Sequence, residues 1–192
     1  LAYFTDCERI AFRLLAALCV ALDLPCDCLA PYFQRDHTSF PRLNYYPLAD
    51  LLDQPDILST PALGDQALHH HTDAGALTLL LRDAVGGLQV QTPDSWIDIE
   101  PVADALVVNV GDMMQVWSND RFTAALHRAR PVTIRPRYSI PFFFNPGYDT
   151  DYAPLPTPDG DAPRYRTINW GEFLTRQSRR RLRGFRRRDP GR

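Results

Sequence analysis

Hydrophobic residues recur at helical spacing near the beginning of the chain. Apolar positions three and four residues apart predict an amphipathic helix from Thr5 to Leu22. Thr5, with Glu8 three residues later, has the pattern of an N-terminal capping box. The apolar stripe of this helix is expected to pack on the outside of a β-barrel and consists of Ile10, Leu14, Leu15, Leu18 and Leu22. A closing helix is predicted from Ile168 to Arg183, with Asn169 as an alternative cap.

Between these helices, short apolar runs alternate with turn residues, a pattern typical of β-rich domains. The predicted strands are Arg42–Tyr46, Leu77–Leu81, Leu88–Gln91, Trp96–Ile99, Ala105–Val110, Met114–Trp117, Leu126–Ile134 and Tyr138–Phe144. We expect the third and fourth of these to form a hairpin and the last two to form a long pair. The stretch 48–66 is interrupted by prolines and the stretch 154–163 is rich in proline and aspartate, so both are expected to be loops. The pattern favours a mainly β fold, a double-stranded β-helix (jelly roll) with flanking α-helices.

The length of 192 residues suits one domain with a sizeable core. We divide it into a helical flank (1–35), a jelly-roll core (36–150) and a C-terminal loop, helix and tail (151–192). Because the chain begins at Leu1 instead of methionine, we expect a fragment, an incomplete gene model or a truncated paralogue. The net charge is −2, yet residues 176–192 hold nine arginines and one acid. Nucleic-acid binding by this tail is not expected, because it lacks interleaved aromatic residues, and we interpret it as solvated.

The cysteines and the apolar segments indicate a cytoplasmic protein, which we expect to be a monomer without membrane contact. No second cysteine pair follows Cys26-Asp27-Cys28 at the spacing of a zinc site, so free thiols are expected. The apolar stretch from Ala11 to Leu24 is interrupted by Arg13 and Asp23, so it favours a helix of a globular domain over a membrane span.

Two imidazoles and one carboxylate suggest a metal site. His71 and Asp73 are two residues apart, so on a strand both side chains would point to one face, and His127 would come from another strand. This ligand set is typical of non-haem Fe(II) oxygenases, because it leaves half of an octahedron open. A single His-x-Asp is common by chance. Of the adjacent histidines, only His71 has an aspartate two residues on, so His69 and His70 are interpreted as flanking residues.

Arg137 and Ser139 repeat the same spacing on a later strand. An arginine offers paired donors to a carboxylate, and a buried arginine without an anion is unfavourable, so the pair is a candidate clamp for an acidic co-substrate. The alternative is an ordinary surface arginine on an edge strand. Phe143 lies on the same strand face by parity and is a candidate for the substrate pocket, with plain core packing as the equal alternative.

Taken together, these motifs resemble one known family. The matching segments are His71-Thr72-Asp73-Ala74-Gly75-Ala76-Leu77-Thr78-Leu79-Leu80, Asn109-Val110-Gly111-Asp112, Trp117-Ser118-Asn119, His127-Arg128 and Arg137-Tyr138-Ser139-Ile140-Pro141-Phe142-Phe143. Their order and spacing resemble the 2-oxoglutarate/Fe(II)-dependent dioxygenases of the isopenicillin N synthase-like superfamily, strongly over residues 40–150. One small departure is Ala129, where the family usually has valine.

The resemblance implies a function and a set of roles. Fe(II) would be held by His71, Asp73 and His127, and the distal carboxylate of 2-oxoglutarate by Arg137 and Ser139. Asn44 and Tyr46 would help to hold this co-substrate. The second co-substrate would be O2, with ascorbate as a stimulant, and a small organic molecule would be hydroxylated with release of succinate and CO2. Alternatives are a related oxidase, an enzyme that fragments 2-oxoglutarate, or a catalytically silent jelly-roll binding protein.

Overall fold

Two antiparallel sheets and a long N-terminal helix form most of the structure, which is a computed structural model and describes residues 2–34, 36–47, 68–130, 135–157 and 160–175. The helices are α1 (Ala2–Ala21), α2 (Asp112–Trp117) and α3 (Trp170–Thr175), with a 3-10 turn at Ala30–Phe33. The strands are β1 (Phe40–Pro41), β2 (Asn44–Tyr46), β3 (Leu68–His71), β4 (Leu77–Arg82), β5 (Leu88–Gln91), β6 (Trp96–Asp98), β7 (Val107–Val110), β8 (His127–Ala129), β9 (Arg137–Phe144), β10 (Asp151–Tyr152) and β11 (Ile168–Asn169). The loop predicted at 48–66 and the arginine-rich tail lie outside the described residues.

The larger sheet has the order β1-β9-β4-β7, with β2 also pairing with β9, and the smaller sheet has the order β3-β8-β5-β6. All of the pairs in both sheets are antiparallel. The predicted hairpin of β5 and β6 is confirmed, with Val90 opposite Ile97. Residues of both sheets line one cavity between them, which is where the candidate site lies.

Helix α1 packs on the outer face of the larger sheet, as predicted. Its buried residues are spaced by four and are Cys7, Ala11, Leu15 and Cys19. They share a core with Phe142 and Phe144 of β9 and with Leu77 and Leu79 of β4. The buried stripe is therefore rotated relative to the predicted one, because small residues allow the helix to approach the sheet closely. Ile10, Leu14 and Leu18 are partly buried at its sides.

The predicted capping box of α1 is wrong. The helix begins at Ala2 within the described residues, so Thr5 and Glu8 lie inside it. The Glu8 carboxylate instead accepts a hydrogen bond from His37 Nε2 at 2.7 Å and ties α1 to the chain before β1. His37 can donate from Nε2 because its Nδ1 accepts the backbone N–H of Ser39 at 3.3 Å. A tertiary contact has taken the place of a local cap.

Two further predictions are corrected. The expected strand Met114–Trp117 is part of α2, in which Met113, Met114, Val116 and Trp117 are all buried. A short apolar run looks alike in a buried strand and in a buried helix, so the hydrophobic pattern could not separate them. The expected pairing of 126–134 with 138–144 is absent from the described residues: β8 pairs with β3 and β5, whereas β9 pairs with β1, β2 and β4. The chain passes from one sheet to the other between them.

At the C-terminal end, the alternative cap is confirmed. Ile168 and Asn169 form β11, paired with β10, and α3 starts at Trp170. The Asn169 side chain accepts the backbone N–H of Glu172 at 3.1 Å and so caps the first turn. All four cysteines are free thiols, as expected. No helix in the described part of the chain combines the length and the apolar character needed to cross a bilayer.

Candidate metal and co-substrate site

A cavity of about 280 Å³ opens between the two sheets. Its walls are mostly apolar, and its polar side chains come from a few positions on β2, β3, β4, β7, β8 and β9, on the link between β1 and β2, and on the turn after β3. All eight residues predicted for the site line it: Asn44, Tyr46, His71, Asp73, His127, Arg137, Ser139 and Phe143. An apolar cavity with a few converging polar groups is the usual form of a small-molecule site.

His71, Asp73 and His127, here called the metal triad, meet at one point of the cavity. The Nε2 atoms of His71 and His127 lie 3.7 and 3.8 Å from Asp73 Oδ1. One ligand atom from each residue lies within 4.8 Å of the others. His71 is directly opposite His127 across the β3–β8 pair, which explains how residues 56 positions apart in the sequence come together. Two imidazoles and a carboxylate suit Fe(II), so the donor set fits the implied ion.

The Asp73 carboxylate is oriented by two hydrogen bonds to the same oxygen. Asp73 Oδ2 accepts the Thr78 hydroxyl at 2.6 Å and the Asn109 amide at 2.9 Å. The other oxygen, Oδ1, faces the two imidazoles. The carboxylate is only 7% exposed, so these donors also compensate for its burial. The arrangement leaves one oxygen for a metal ion and fixes its direction.

The tautomer of His127 follows from its neighbour. Its Nδ1 lies 2.9 Å from the backbone oxygen of Ala125. A carbonyl oxygen can only accept, so Nδ1 carries the hydrogen and Nε2 presents its lone pair to the cavity. This is the form that binds a metal ion.

Close backbone packing holds the turn that carries Asp73. The N–H of Asp112 donates to the Asp73 carbonyl at 2.7 Å, and the N–H of Gly111 donates to Ala76 at 3.0 Å. A Cβ atom at Gly111 would come 2.3 Å from the Gly75 oxygen and 2.8 Å from the Asp73 oxygen. Glycine is therefore required at position 111, because α2 begins directly against the Asp73 turn.

Arg137 has the environment of an anion-binding residue. It is 2% exposed, so the alternative of a surface arginine is wrong. Within the described structure its Nε and Nη1 atoms are buried without a hydrogen-bond partner. Its Cζ lies 4.6 Å from the centre of the Tyr46 ring, to which it is opposite across the β2–β9 pair. A buried guanidinium with unpartnered donors fits a carboxylate ligand such as that of 2-oxoglutarate.

The hydrogen bonds of Asn44 determine how Ser139 can act. The Asn44 oxygen accepts Arg42 Nε at 2.9 Å, which fixes the amide so that its nitrogen donates to Ser139 Oγ at 3.2 Å. Because Ser139 Oγ accepts this bond, its own hydrogen is directed elsewhere and can be donated to an anion beside Arg137. Asn44 thus acts on the clamp (Arg137 and Ser139) through Ser139.

The remaining predicted residues also have defined places. Phe143 lines the cavity on the same face of β9 as the clamp, which favours the pocket interpretation over plain core packing. It contacts Phe40 and the Arg42 guanidinium, at ring-centre distances of 5.1 and 5.2 Å. His70 is exposed and its ring lies 6.3 Å from that of Trp96, on the other face of its strand. The side chain of His69 lies outside the described part of the structure.

Three contributors to the site received no role from the sequence: Thr78, Asn109 and Arg42. Thr78 and Asn109 are polar residues within apolar strands, β4 and β7, which was the signal that could have revealed them. A polar side chain at a buried strand position requires a partner. Arg42 precedes Asn44 by two positions and Tyr46 by four, so the strand predicted from Arg42 to Tyr46 places it on their face.

Comparisons with known proteins agree with this geometry. A model of the 2OG-Fe(II) oxygenase superfamily matches residues 38–146. The 1-aminocyclopropane-1-carboxylate oxidase homolog 10 of Arabidopsis thaliana is 40% identical over 152 residues, which are 77% of this chain and 37% of that protein. The 2-oxoglutarate-Fe(II) type oxidoreductase hxnY of Emericella nidulans is 36% identical over 174 residues, which are 86% of this chain and 46% of that protein.

A solved structure is similar over nearly the whole chain. JOX2 in complex with 2OG, Fe and JA superposes with a TM-score of 0.83 at 26% identity, covering 97% of this chain and 55% of that one. This similarity and the two sheets confirm the predicted jelly roll. The chain spans about half or less of the length of the relatives it matches. The family model covers more than half of the chain, including the metal triad and the clamp, so the chain belongs to the 2OG-Fe(II) oxygenase superfamily.

Proposed function

We propose that this chain is the catalytic portion of a non-haem Fe(II)- and 2-oxoglutarate-dependent dioxygenase. It oxidises a small organic molecule, by hydroxylation, and releases succinate and CO2. The observation that carries the proposal is the presence, in one cavity, of a His-Asp-His donor set and a buried arginine, two nitrogens of which have no hydrogen-bond partner among the described residues. The donor set suits Fe(II) and the arginine suits a dicarboxylate.

The residues of the chain have separate tasks in this proposal. His71, Asp73 and His127 hold the metal ion, which supplies the activation of O2 when it is bound. Arg137 pairs with the distal carboxylate of 2-oxoglutarate, and Ser139 donates its hydroxyl hydrogen beside it. Fixing the co-substrate at its far end places its reactive end toward the metal triad, which is the positioning effect by which enzymes reduce the entropic cost of reaching the transition state.

The apolar walls of the cavity serve the chemistry as well. Leu80, Leu88 and Val107 line it together with Val90 and Ile99, and they offer water no hydrogen-bond partner. Excluding water strengthens the electrostatic interactions inside and prevents side reactions. The same walls support a substrate that is small and largely apolar. The free cysteine thiols support a cytoplasmic location, because disulfides are rare in that compartment. We also propose that the protein is a monomer.

An anaerobic titration tests the proposal. Fe(II) is added to the metal-free protein, followed by 2-oxoglutarate, and the visible metal-to-ligand charge-transfer band is recorded. We expect the band in the wild-type chain, a loss of iron binding in Asp73→Ala, and a loss of the band at limiting 2-oxoglutarate in Arg137→Ala. The exposed Arg9→Ala is the matched control for removing an arginine.

The alternatives give different results. Iron binding without the band points to an oxidase that does not use 2-oxoglutarate. A folded protein that binds no iron points to a silent jelly-roll binding protein and contradicts the proposal. Production of succinate that rises on addition of a candidate substrate then identifies the substrate.

A further inference from the structure

Arg42 is a further arginine at the cavity, and it acts on the clamp only indirectly, through the hydrogen bond from its Nε to Asn44. It lies between β1 and β2, and its backbone N–H donates to the Pro141 carbonyl at 2.9 Å, which anchors it to β9. Its side chain is exposed at the cavity, whereas Arg137 is buried. The two arginines therefore occupy different depths of the same space.

The Arg42 side chain is held in one direction. Its Nε donates to the Asn44 amide oxygen at 2.9 Å, and its Cζ lies 5.2 Å from the centre of the Phe143 ring. One hydrogen bond and one cation–π contact orient the planar guanidinium without using its two terminal nitrogens. Among the described residues no acidic side chain forms an ion pair with Arg42.

The other charged side chains of the cavity serve the metal triad or the clamp, or lie against the other sheet. Asp73 is directed at the metal triad, and Arg137 belongs to the clamp. Arg128 has contacts of the same kind as Arg42, but its Nε donates to Gln89 of β5 at 2.8 Å and its Cζ lies 4.2 Å from the centre of the Trp96 ring of β6, so it is held against the smaller sheet. Arg42 is held against Asn44 and Phe143 in the larger sheet, which also carries the clamp, so it is the arginine placed to bind a second anion beside the co-substrate.

We propose that Arg42 recognises the carboxylate of the substrate, which is a small apolar monocarboxylate whose body lies against Phe143. The proposal rests on the proposed function, because it assigns the second cavity anion to the substrate of that reaction. The apolar side chains of the cavity accommodate the body of such a molecule, and the single oriented guanidinium matches a single carboxylate. Asn44, bonded to both Arg42 and Ser139, lies between the substrate carboxylate and the clamp.

A titration with matched probes tests this assignment. The probes are phenylacetate with phenylacetamide, and hexanoate with hexanamide, each pair being of similar shape and different charge. Binding to the full chain without iron or 2-oxoglutarate is measured by calorimetry at low ionic strength. We expect at least one of the two acids to bind wild type more tightly than the corresponding amide does. Arg42→Met should weaken the binding of that acid at least ten-fold, equivalent to about 1.4 kcal/mol.

The control variants separate Arg42 from general electrostatics. We expect Arg42→Lys to retain part of the preference for the acid, because it keeps the charge, and the exposed Arg9→Met to leave it unchanged. Affinities for the amides should be equal in wild type and in Arg42→Met.

Two results overturn the proposal. One is that neither acid binds wild type more tightly than its amide. The other is that acid binding survives in Arg42→Met and is lost in Arg137→Met, which would place the anion in the clamp. Failure of the proposed function would be seen in the anaerobic Fe(II) titration, as absence of the charge-transfer band. The calorimetric titration is independent of that result, because it contains neither iron nor 2-oxoglutarate.

Discussion

Replacing Arg137 with methionine should stabilise the protein in the absence of 2-oxoglutarate. Most substitutions of buried residues are destabilising. Here, however, the wild-type residue is a cation that is 2% exposed, with Nε and Nη1 unpartnered within the described structure. The flexible, apolar methionine side chain can occupy the space of the aliphatic part of arginine, and it carries no charge. The site is thus arranged for a ligand at the expense of stability.

The magnitude can be worked from the contacts of Arg137. Each buried donor left unsatisfied costs about 1–3 kcal/mol. The Tyr46 ring, 4.6 Å from the guanidinium carbon, offsets about 0.5–2 kcal/mol of this. Nearby Arg82 adds repulsion: burial is the main cause of the lowered pKa of Arg82, and the charge of Arg137 is the second. We expect Arg137→Met to increase the free energy of unfolding by about 2 kcal/mol.

Urea denaturation followed by tryptophan fluorescence measures the effect, under anaerobic Fe(II) with and without 2-oxoglutarate. At one hundred times its dissociation constant, 2-oxoglutarate should stabilise wild type by about 2.7 kcal/mol and leave Arg137→Met unchanged. The order of stability of the two proteins therefore reverses when the co-substrate is added. Arg9→Met, at an exposed site, should change stability by less than about 0.5 kcal/mol in either condition.

Two outcomes would refute the reasoning. If Arg137→Met is less stable than wild type without 2-oxoglutarate, the guanidinium is already satisfied inside the protein. If 2-oxoglutarate stabilises both proteins equally, Arg137 is not part of its binding site.

Three further predictions follow from other contacts. Asn109→Ala removes the 2.9 Å hydrogen bond to Asp73 Oδ2 and should weaken Fe(II) binding about 10- to 100-fold in an anaerobic titration. The free energy of unfolding should change little. An unaltered affinity for Fe(II) would show that Asn109 does not orient the Asp73 carboxylate. Gly111→Ala places a Cβ atom 2.3 Å from a carbonyl oxygen and should lower the free energy of unfolding, measured in urea, by about 1–3 kcal/mol or more. If the variant is as stable as wild type, α2 can shift to accommodate the added atom. Iodoacetamide at pH 8 should modify the exposed Cys26 before Cys28. Burial is the main cause that raises the pKa of Cys28 to about 12, so little of its reactive thiolate is present at pH 8. Peptide mass spectrometry measures the order of labelling, and faster labelling of Cys28 would contradict the prediction.

The sequence was sufficient for the local features of this protein. The strand Leu88–Gln91 was predicted with its observed limits, and the hairpin that follows it was confirmed, because alternation and turn residues act over a few positions. Six of the eight candidate residues were indicated by two-residue spacings and short motifs, and Asn44 and Tyr46 were added by the family resemblance. The structure brings all of them to one cavity.

The tertiary structure decided which distant segments meet. The strand beginning at His127 joins β3 and β5 instead of β9, because β8 belongs to the smaller sheet and β9 to the larger one, and local patterning does not show which sheet a strand enters. Likewise, residues 114–117 are helical although their apolar pattern also suits a strand: Met114, Val116 and Trp117 are buried, and a buried helix and a buried strand need the same apolar residues. Pairing partners and burial depend on the whole chain.

The orientation of the functional side chains also depends on the tertiary structure. The sequence indicated Asp73 as a ligand, but Thr78 and Asn109 determine which of its oxygens faces the imidazoles. The sequence likewise indicated Ser139, whereas the Arg42–Asn44 hydrogen bond fixes the direction of the Ser139 hydrogen. Residue type and spacing thus determine which chemistry is available, because both are local properties of the chain. Direction and protonation depend on hydrogen bonds between strands, which only the folded sheets bring within reach.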